Sequence, residues 1–133
     1  MSPLLDTHAW IWWMEGNLKL GRKTLAALDG LAENERPFLS DISLWEVATL
    51  FSLGRWTTSV PFETWMAKAC HPRTLEILPI SAAVGLELTR LPDRFHRDPA
   101  DRIIVATARA LRLPLLTHDR RILAAKLTKS WVH

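Results

Sequence analysis

The sequence predicts an α/β fold built on a parallel sheet, and three observations carry that prediction. Four short apolar runs, each suited in length to a buried strand, alternate with longer segments whose apolar residues recur at helical spacing. Breaks such as Gly16-Asn17 and His71-Pro72 mark the joints, with no Gly/Ser linker, repeat or low-complexity tract between them. Asp6 and Asp119 stand at or just after strand-like runs, where open parallel sheets bind ligands.

Pro3 to Asp6 reads as the first strand, and Thr7 to Glu15 as a helix stopped by Gly16-Asn17. Arg22 to Asn34 carries Leu25, Leu28 and Leu31 at helical spacing and predicts a second helix. Pro37 to Leu39 is the second strand. Ser40 or Asp41 then caps a helix to about Leu53, with Gly54 at its end. Pro61 and Phe62 start a helix that reaches Cys70. Leu75 to Pro79 is the third strand, and Ser81 caps a helix lasting to Leu91. Pro99 to Leu111 has the clearest helical pattern of all. Pro114 to Thr117 supplies a fourth strand, Arg120 to Lys126 a short helix, and Ser130 to Val132 an edge strand.

At 133 residues the chain is one domain, residues 1–133, large enough for a real core but not for two. Its 48% hydrophobic and 23% charged residues place it with soluble globular proteins. No apolar stretch reaches the roughly 18 residues of a membrane helix. The run from Leu4 to Met14 contains Asp6 and lacks a basic start, which argues against a secretory signal. Cys70 is the single cysteine, so no intrachain disulfide forms; a cytoplasmic location follows, and zinc is disfavoured. Charge is uneven: Met1 to Asp93 holds 8 Lys and Arg against 11 Asp and Glu, whereas Arg94 to His133 holds 9 against 3. A basic segment that also carries Asp98, Asp101 and Asp119 suits a polyanionic substrate, although a solvated basic face would look the same.

Four carboxylates occupy positions that folding alone does not require. Asp6 is the one charged residue within SPLLDTHAWIWWM, and Glu46 the one within ISLWEVATLFSLG. Asp101 heads RIIVATARAL, and Asp119 closes LPLLTHD. Ionised carboxylates are rarely buried unless paired or bound to a metal. Four of them on apolar elements point to one shared pocket, and hard oxygen donors select Mg²⁺ or Mn²⁺. Structural roles compete with this reading. Asp6 suits a helix N-cap, Glu46 suits a solvent stripe with Ser43 and Thr49, and capping fully explains Asp98 before Pro99. Thr7 and Thr117 are placed to hydrogen-bond the site or orient a water, and Thr117 serves equally well as a cap. His8 and His118 flank acids and are expected near phosphate or in solvent rather than on a cation. The seven tryptophans favour packing and self-association over base stacking.

LLDTHAWIWW, SDISLWEVATL and DPADRIIVATARALRLPLLTHDRRI together resemble a PIN domain, specifically a VapC-type toxin of a bacterial toxin–antitoxin pair. The resemblance covers essentially the whole chain. It implies a three-layer α/β/α sandwich around a mainly parallel sheet of four or five strands. It also implies a Mg²⁺- or Mn²⁺-dependent endoribonuclease with an RNA substrate, a cognate antitoxin and a homodimeric assembly. The family's acidic residues match Asp6, Glu46, Asp101 and Asp119. Asp98 either joins the outer shell of the metal or replaces Asp101 as a ligand. Arg97, Arg102, Arg120 and Arg121 are candidates to grip the RNA backbone.

Other classes fit less well. A haloacid-dehalogenase-like phosphatase wants a second aspartate two residues after Asp6, where His8 stands. A phospho-receiver domain wants paired acids after the first strand and a late lysine near a strand end. A PIN nuclease of RNA processing, or a catalytically silent module that captures a partner's arginine, remains compatible with these residues.

Overall fold

The computed structural model describes residues 1–132. Its four strands are short: β1 (Leu4–Leu5), β2 (Phe38–Ser40), β3 (Glu76–Leu78) and β4 (Leu115–Leu116). All pair in parallel in the order β3-β2-β1-β4, with Leu4 opposite Phe38 and Leu115, and Leu5 opposite Leu39 and Leu116. Seven α-helices connect them among the described residues: α1 (Thr7–Glu15), α2 (Arg22–Asp29), α3 (Ile42–Ser52), α4 (Phe62–Ala69), α5 (Ala82–Arg90), α6 (Pro99–Leu111) and α7 (Arg120–Ala125).

The period of two along each strand divides the core into two layers. Leu5, Leu39 and Leu116 join Trp10, Leu28, Val47 and Trp65 from α1, α2, α3 and α4. Leu4 and Leu115 join Val84, Ile104, Val105 and Ile122 from α5, α6 and α7. Helices thus cover both faces of the sheet, as the predicted α/β/α sandwich requires. None of them is long and apolar enough to cross a membrane.

Local chemistry sets the element ends. Gly16 adopts φ 63°, and the N–H groups of Gly16 and Asn17 return to Trp13 and Trp12 to close α1. Ser81 Oγ accepts from Val84 N at 3.3 Å and starts α5. Pro99 occupies the first turn of α6, whose bounds are those predicted. The second helix is shorter than its leucine spacing predicted. It ends at Asp29 before Gly30, a poor helix former, and Glu33–Glu35 forms a separate 3₁₀ turn. Asp29 is tied across to Trp13, whose Nε1 donates at 2.9 Å. The predicted edge strand Ser130 to Val132 is a single parallel bridge from Ser130 to Leu115, held by Leu115 N–H to Lys129 and Trp131 N–H to Leu115.

Candidate active site

β1 is the strand at which the chain reverses its order of addition: β2 and β3 extend the sheet on one side, β4 on the other. At such a switch point the connections leave in opposite directions and open a crevice beyond the carboxyl ends of the strands. Leu5 and Leu116 are paired there, so the next residues, Asp6 and Thr117, emerge side by side. The Thr117 hydroxyl donates to Asp6 Oδ2, and Ala9 N–H donates to Asp6 Oδ1 at 2.8 Å. Asp6 is therefore the N-cap of α1 and is only 6% exposed, yet it lines an open cavity of about 270 Å³.

Glu46, Asp98, Asp101 and Asp119 line the same cavity, with Thr7, His8, Trp12, His118 and Arg121. Each acid arrives from a different local cause. Glu46 projects from the second turn of α3, half-buried. Beneath it the Thr7 and Ser43 hydroxyls bond at 2.8 Å, both side chains buried. Asp98 is the N-cap of α6 and accepts from Asp101 N–H at 3.0 Å. Asp101 stands in the first turn of that helix and contacts His96 Nε2 at 2.7 Å. Asp119 caps α7 through Arg121 N–H at 2.9 Å and Ile122 N–H at 3.1 Å, while its own N–H donates to Thr117 Oγ1 at 3.0 Å.

Electrostatics divide four of the five. Burial pushes the Asp6, Glu46 and Asp101 carboxyls above their ordinary range. Neighbouring acids push further the same way: Asp101 acts on Asp6 and Glu46, Asp98 on Glu46 and Asp101, and Asp119 on Asp101. Hydroxyls and histidines oppose them, notably Thr117 on Asp6, Thr7 on Glu46 and His96 on Asp101. Burial also raises Asp119, but the Ile122 and Arg121 N–H groups and the Arg121 charge outweigh it and hold that carboxyl below the usual range.

Five carboxylates against one arginine leave the cavity short of positive charge. An all-oxygen donor set of this kind fits a hard divalent cation by its chemistry. Among the described residues, however, no group of three or more His, Cys, Asp or Glu is arranged to hold a metal ion as the side chains stand. Asp6, Asp98, Asp101 and Asp119 each point an oxygen at a donor of the protein instead.

The predicted cations separate by role. Arg121 lines the cavity, 3.8 Å from Asp101 and 3.5 Å from Asp119. Arg102 is engaged in holding the preceding loop: its Nη1 donates to the Phe95 and His96 carbonyls at 2.9 and 3.2 Å. Arg97 stands 3.9 Å from Asp93 on the surface, and Arg120 is exposed outside the cavity wall. His8 and His118 are exposed and bracket Trp12 with ring centroids 6.1 and 5.9 Å away, making an aromatic wall. Ser43 and His96 are the positioning groups that sequence reasoning missed. Ser43 lies three residues before Glu46 on one helical face, a usable signal; His96 sits in a loop, where no periodicity marks it.

A parallel α/β domain that gathers acids at its switch point is the class this fold and cavity define. The PIN domain family model matches residues 4–127, and the chain belongs to that family. It is 35% identical over 122 residues to "Ribonuclease VapC22" of Mycobacterium tuberculosis, covering 91% of this chain and 89% of that relative. Two solved structures share the fold. VapBC2 of Rickettsia felis, bound to a DNA fragment from its promoter, matches with a TM-score of 0.74, 18% identity and 98% of each chain covered. A toxin–antitoxin complex from Klebsiella pneumoniae matches with a TM-score of 0.67, 21% identity and 97% of each chain covered.

Proposed function

We propose that this chain is a VapC-like toxin, a PIN-domain endoribonuclease that hydrolyses RNA phosphodiester bonds and is held in check by a cognate antitoxin. Residues 1–133 make one PIN domain in this reading. The observation that carries it is the gathering of five carboxylates in one cavity at the switch point, three of them raised by burial and by one another. Such repulsion weakens a fold, so acids gathered in this way point to a functional site.

Asp6, Glu46 and Asp101 would hold Mg²⁺ or Mn²⁺, with Asp119 completing the set and Asp98 in the outer shell or in place of Asp101. When bound, the cation supplies neutralisation of phosphate charge and polarises water for attack on phosphorus. The remaining work belongs to the chain. Thr117 fixes one oxygen of Asp6 and leaves the carboxylate pinned toward the cavity, while His96 fixes Oδ2 of Asp101. The Thr7–Ser43 bond holds the floor under Glu46. Arg121, 63% exposed on its side chain, is free to leave the acids and meet a phosphate oxygen. An antitoxin arginine entering the cavity would pair with the same carboxylates and block it. Trp45 and Leu53, exposed at 57% and 60%, support self-association through α3 and the turn after it.

The test is cleavage of total cellular RNA by the purified, antitoxin-free protein in Mg²⁺ or Mn²⁺. Discrete fragments that vanish in EDTA and in the Asp101→Asn variant are the expected result. Folded protein that leaves RNA intact in both metals sinks the nuclease reading and leaves a partner-binding module.

A further inference from the structure

Beside the acidic cavity lies a second one of about 270 Å³, and the two share a wall. Arg94, Phe95, His96, Arg121 and Ala124 line this neighbour, together with Pro92 and Ala125, and no carboxylate does. Arg121 borders both cavities, and His96 turns Nε2 toward Asp101 in the first while its ring lines the second. Arg94 is exposed and makes no hydrogen bond or ion pair among the described residues. Phe95, by contrast, is 3% exposed, and Arg102 holds its carbonyl, so the floor of the cavity is fixed.

We infer that this basic cavity is a subsite for the RNA backbone phosphate adjoining the scissile one, with Arg94 and Arg121 as its anion-binding groups. The inference rests on the ribonuclease reading and extends it to a second contact. Charge distinguishes the two cavities. A phosphate in the acidic one meets five carboxylates and needs a cation between; a phosphate in its neighbour meets guanidinium groups directly. A polyanionic chain crossing from one to the other passes Arg121, which exchanges its carboxylate partners for phosphate oxygens. Arg94 then acts on binding and on the position of the strand, without touching the reacting atoms.

Dinucleotides test this without relying on turnover. The intact protein is titrated in Ca²⁺ with UpU, with pUpU and with UpUp, and with inorganic phosphate as a separate arm. The added terminal phosphate, at one end or the other, is expected to tighten binding about tenfold over UpU. Arg94→Gln is expected to erase that gain and to leave the Kd of UpU unchanged. Equal affinity for all three dinucleotides overturns the subsite. So does a gain that survives in Arg94→Gln, and so does inorganic phosphate that binds more tightly than pUpU and UpUp, which marks a free-anion site. RNA left intact in both metals beside a phosphate gain that Arg94→Gln erases overturns the nuclease reading and supports the subsite.

Discussion

Asp98 and Asp6 both cap a helix and line the acidic cavity. Both are N-caps, so an alanine scan would report a stability loss that says nothing of function. Conservative pairs separate the roles. Asp98→Ala is expected to lower stability by about 1 kcal/mol through the lost bond to Asp101 N–H, and Asp98→Asn by much less, in denaturant melts. If Asp98 also serves the cation, Asp98→Asn loses cleavage although it keeps the cap. The titration of the acids gives a second prediction. Carboxyls raised by burial hold their protons to higher pH in the fold than in the unfolded chain. The stability they contribute is therefore complete below their ordinary values, 3.8 for aspartate and 4.5 for glutamate, and is lost as pH rises through the raised values. Asp119 runs the other way: its contribution is present above its ordinary value and fades as pH falls through the lowered one. With three acids raised, metal-free protein in EDTA is expected to lose thermal stability as pH climbs from the carboxylate range toward neutrality. Mn²⁺ should restore more at neutral than at acid pH, because binding requires the ionised forms. Melting midpoints that rise steadily with pH in EDTA would contradict this picture.

At the scale of elements, the alternation of strands and helices was legible because Leu4–Leu5 and Leu115–Leu116 are fully buried runs bounded by turn residues. Their pairing was not, since two leucines carry no register; only the structure shows Asp6 and Thr117 emerging side by side. The end of α2 was misplaced because Leu31 continues the apolar spacing after the helix has stopped, still packing on the core from the bend that follows. In the site, the acids were legible as charges out of place, whereas His96 was not, because a histidine in a loop is ordinary in isolation; Ser43, placed on a solvent stripe with Glu46, is instead fully buried. Arg102, named as a candidate to grip RNA, directs Nη1 to the Phe95 and His96 carbonyls and so ties α6 to the loop before it. Within each layer, single side chains tie neighbouring helices together. Trp10 is fully buried, donates from Nε1 to the Ala69 carbonyl at 3.1 Å and packs on Trp65 with centroids 5.1 Å apart. Trp10→Ala should cost about 3–5 kcal/mol in equilibrium unfolding. On the other face Glu87 accepts from Arg109 Nε at 2.7 Å and joins α5 to α6, so Glu87→Gln should lower the melting midpoint while leaving cation binding unchanged.

For the molecule as a whole, charge and topology act on one location. The carboxyl ends of β1 and β4 open the cavity, and the chain from Arg94 onward, with 9 Lys and Arg against 3 Asp and Glu, supplies three of its five acids and its arginine. Basic surroundings raise the local concentration of a polyanion, while the acids repel it until a cation is present. The central claim is that Asp6 is retained for this chemistry and not for the helix it caps. Asp6→Asn separates the two, since asparagine keeps an oxygen for Ala9 N–H and removes a buried charge. The measurement is RNA cleavage and metal-free thermal unfolding of Asp6→Asn beside the parent protein. The account predicts a variant at least as stable as the parent whose cleavage falls by about a hundredfold or more. A variant that still cleaves RNA at the parent rate, with a lower melting midpoint, would make Asp6 a helix cap and contradict the account.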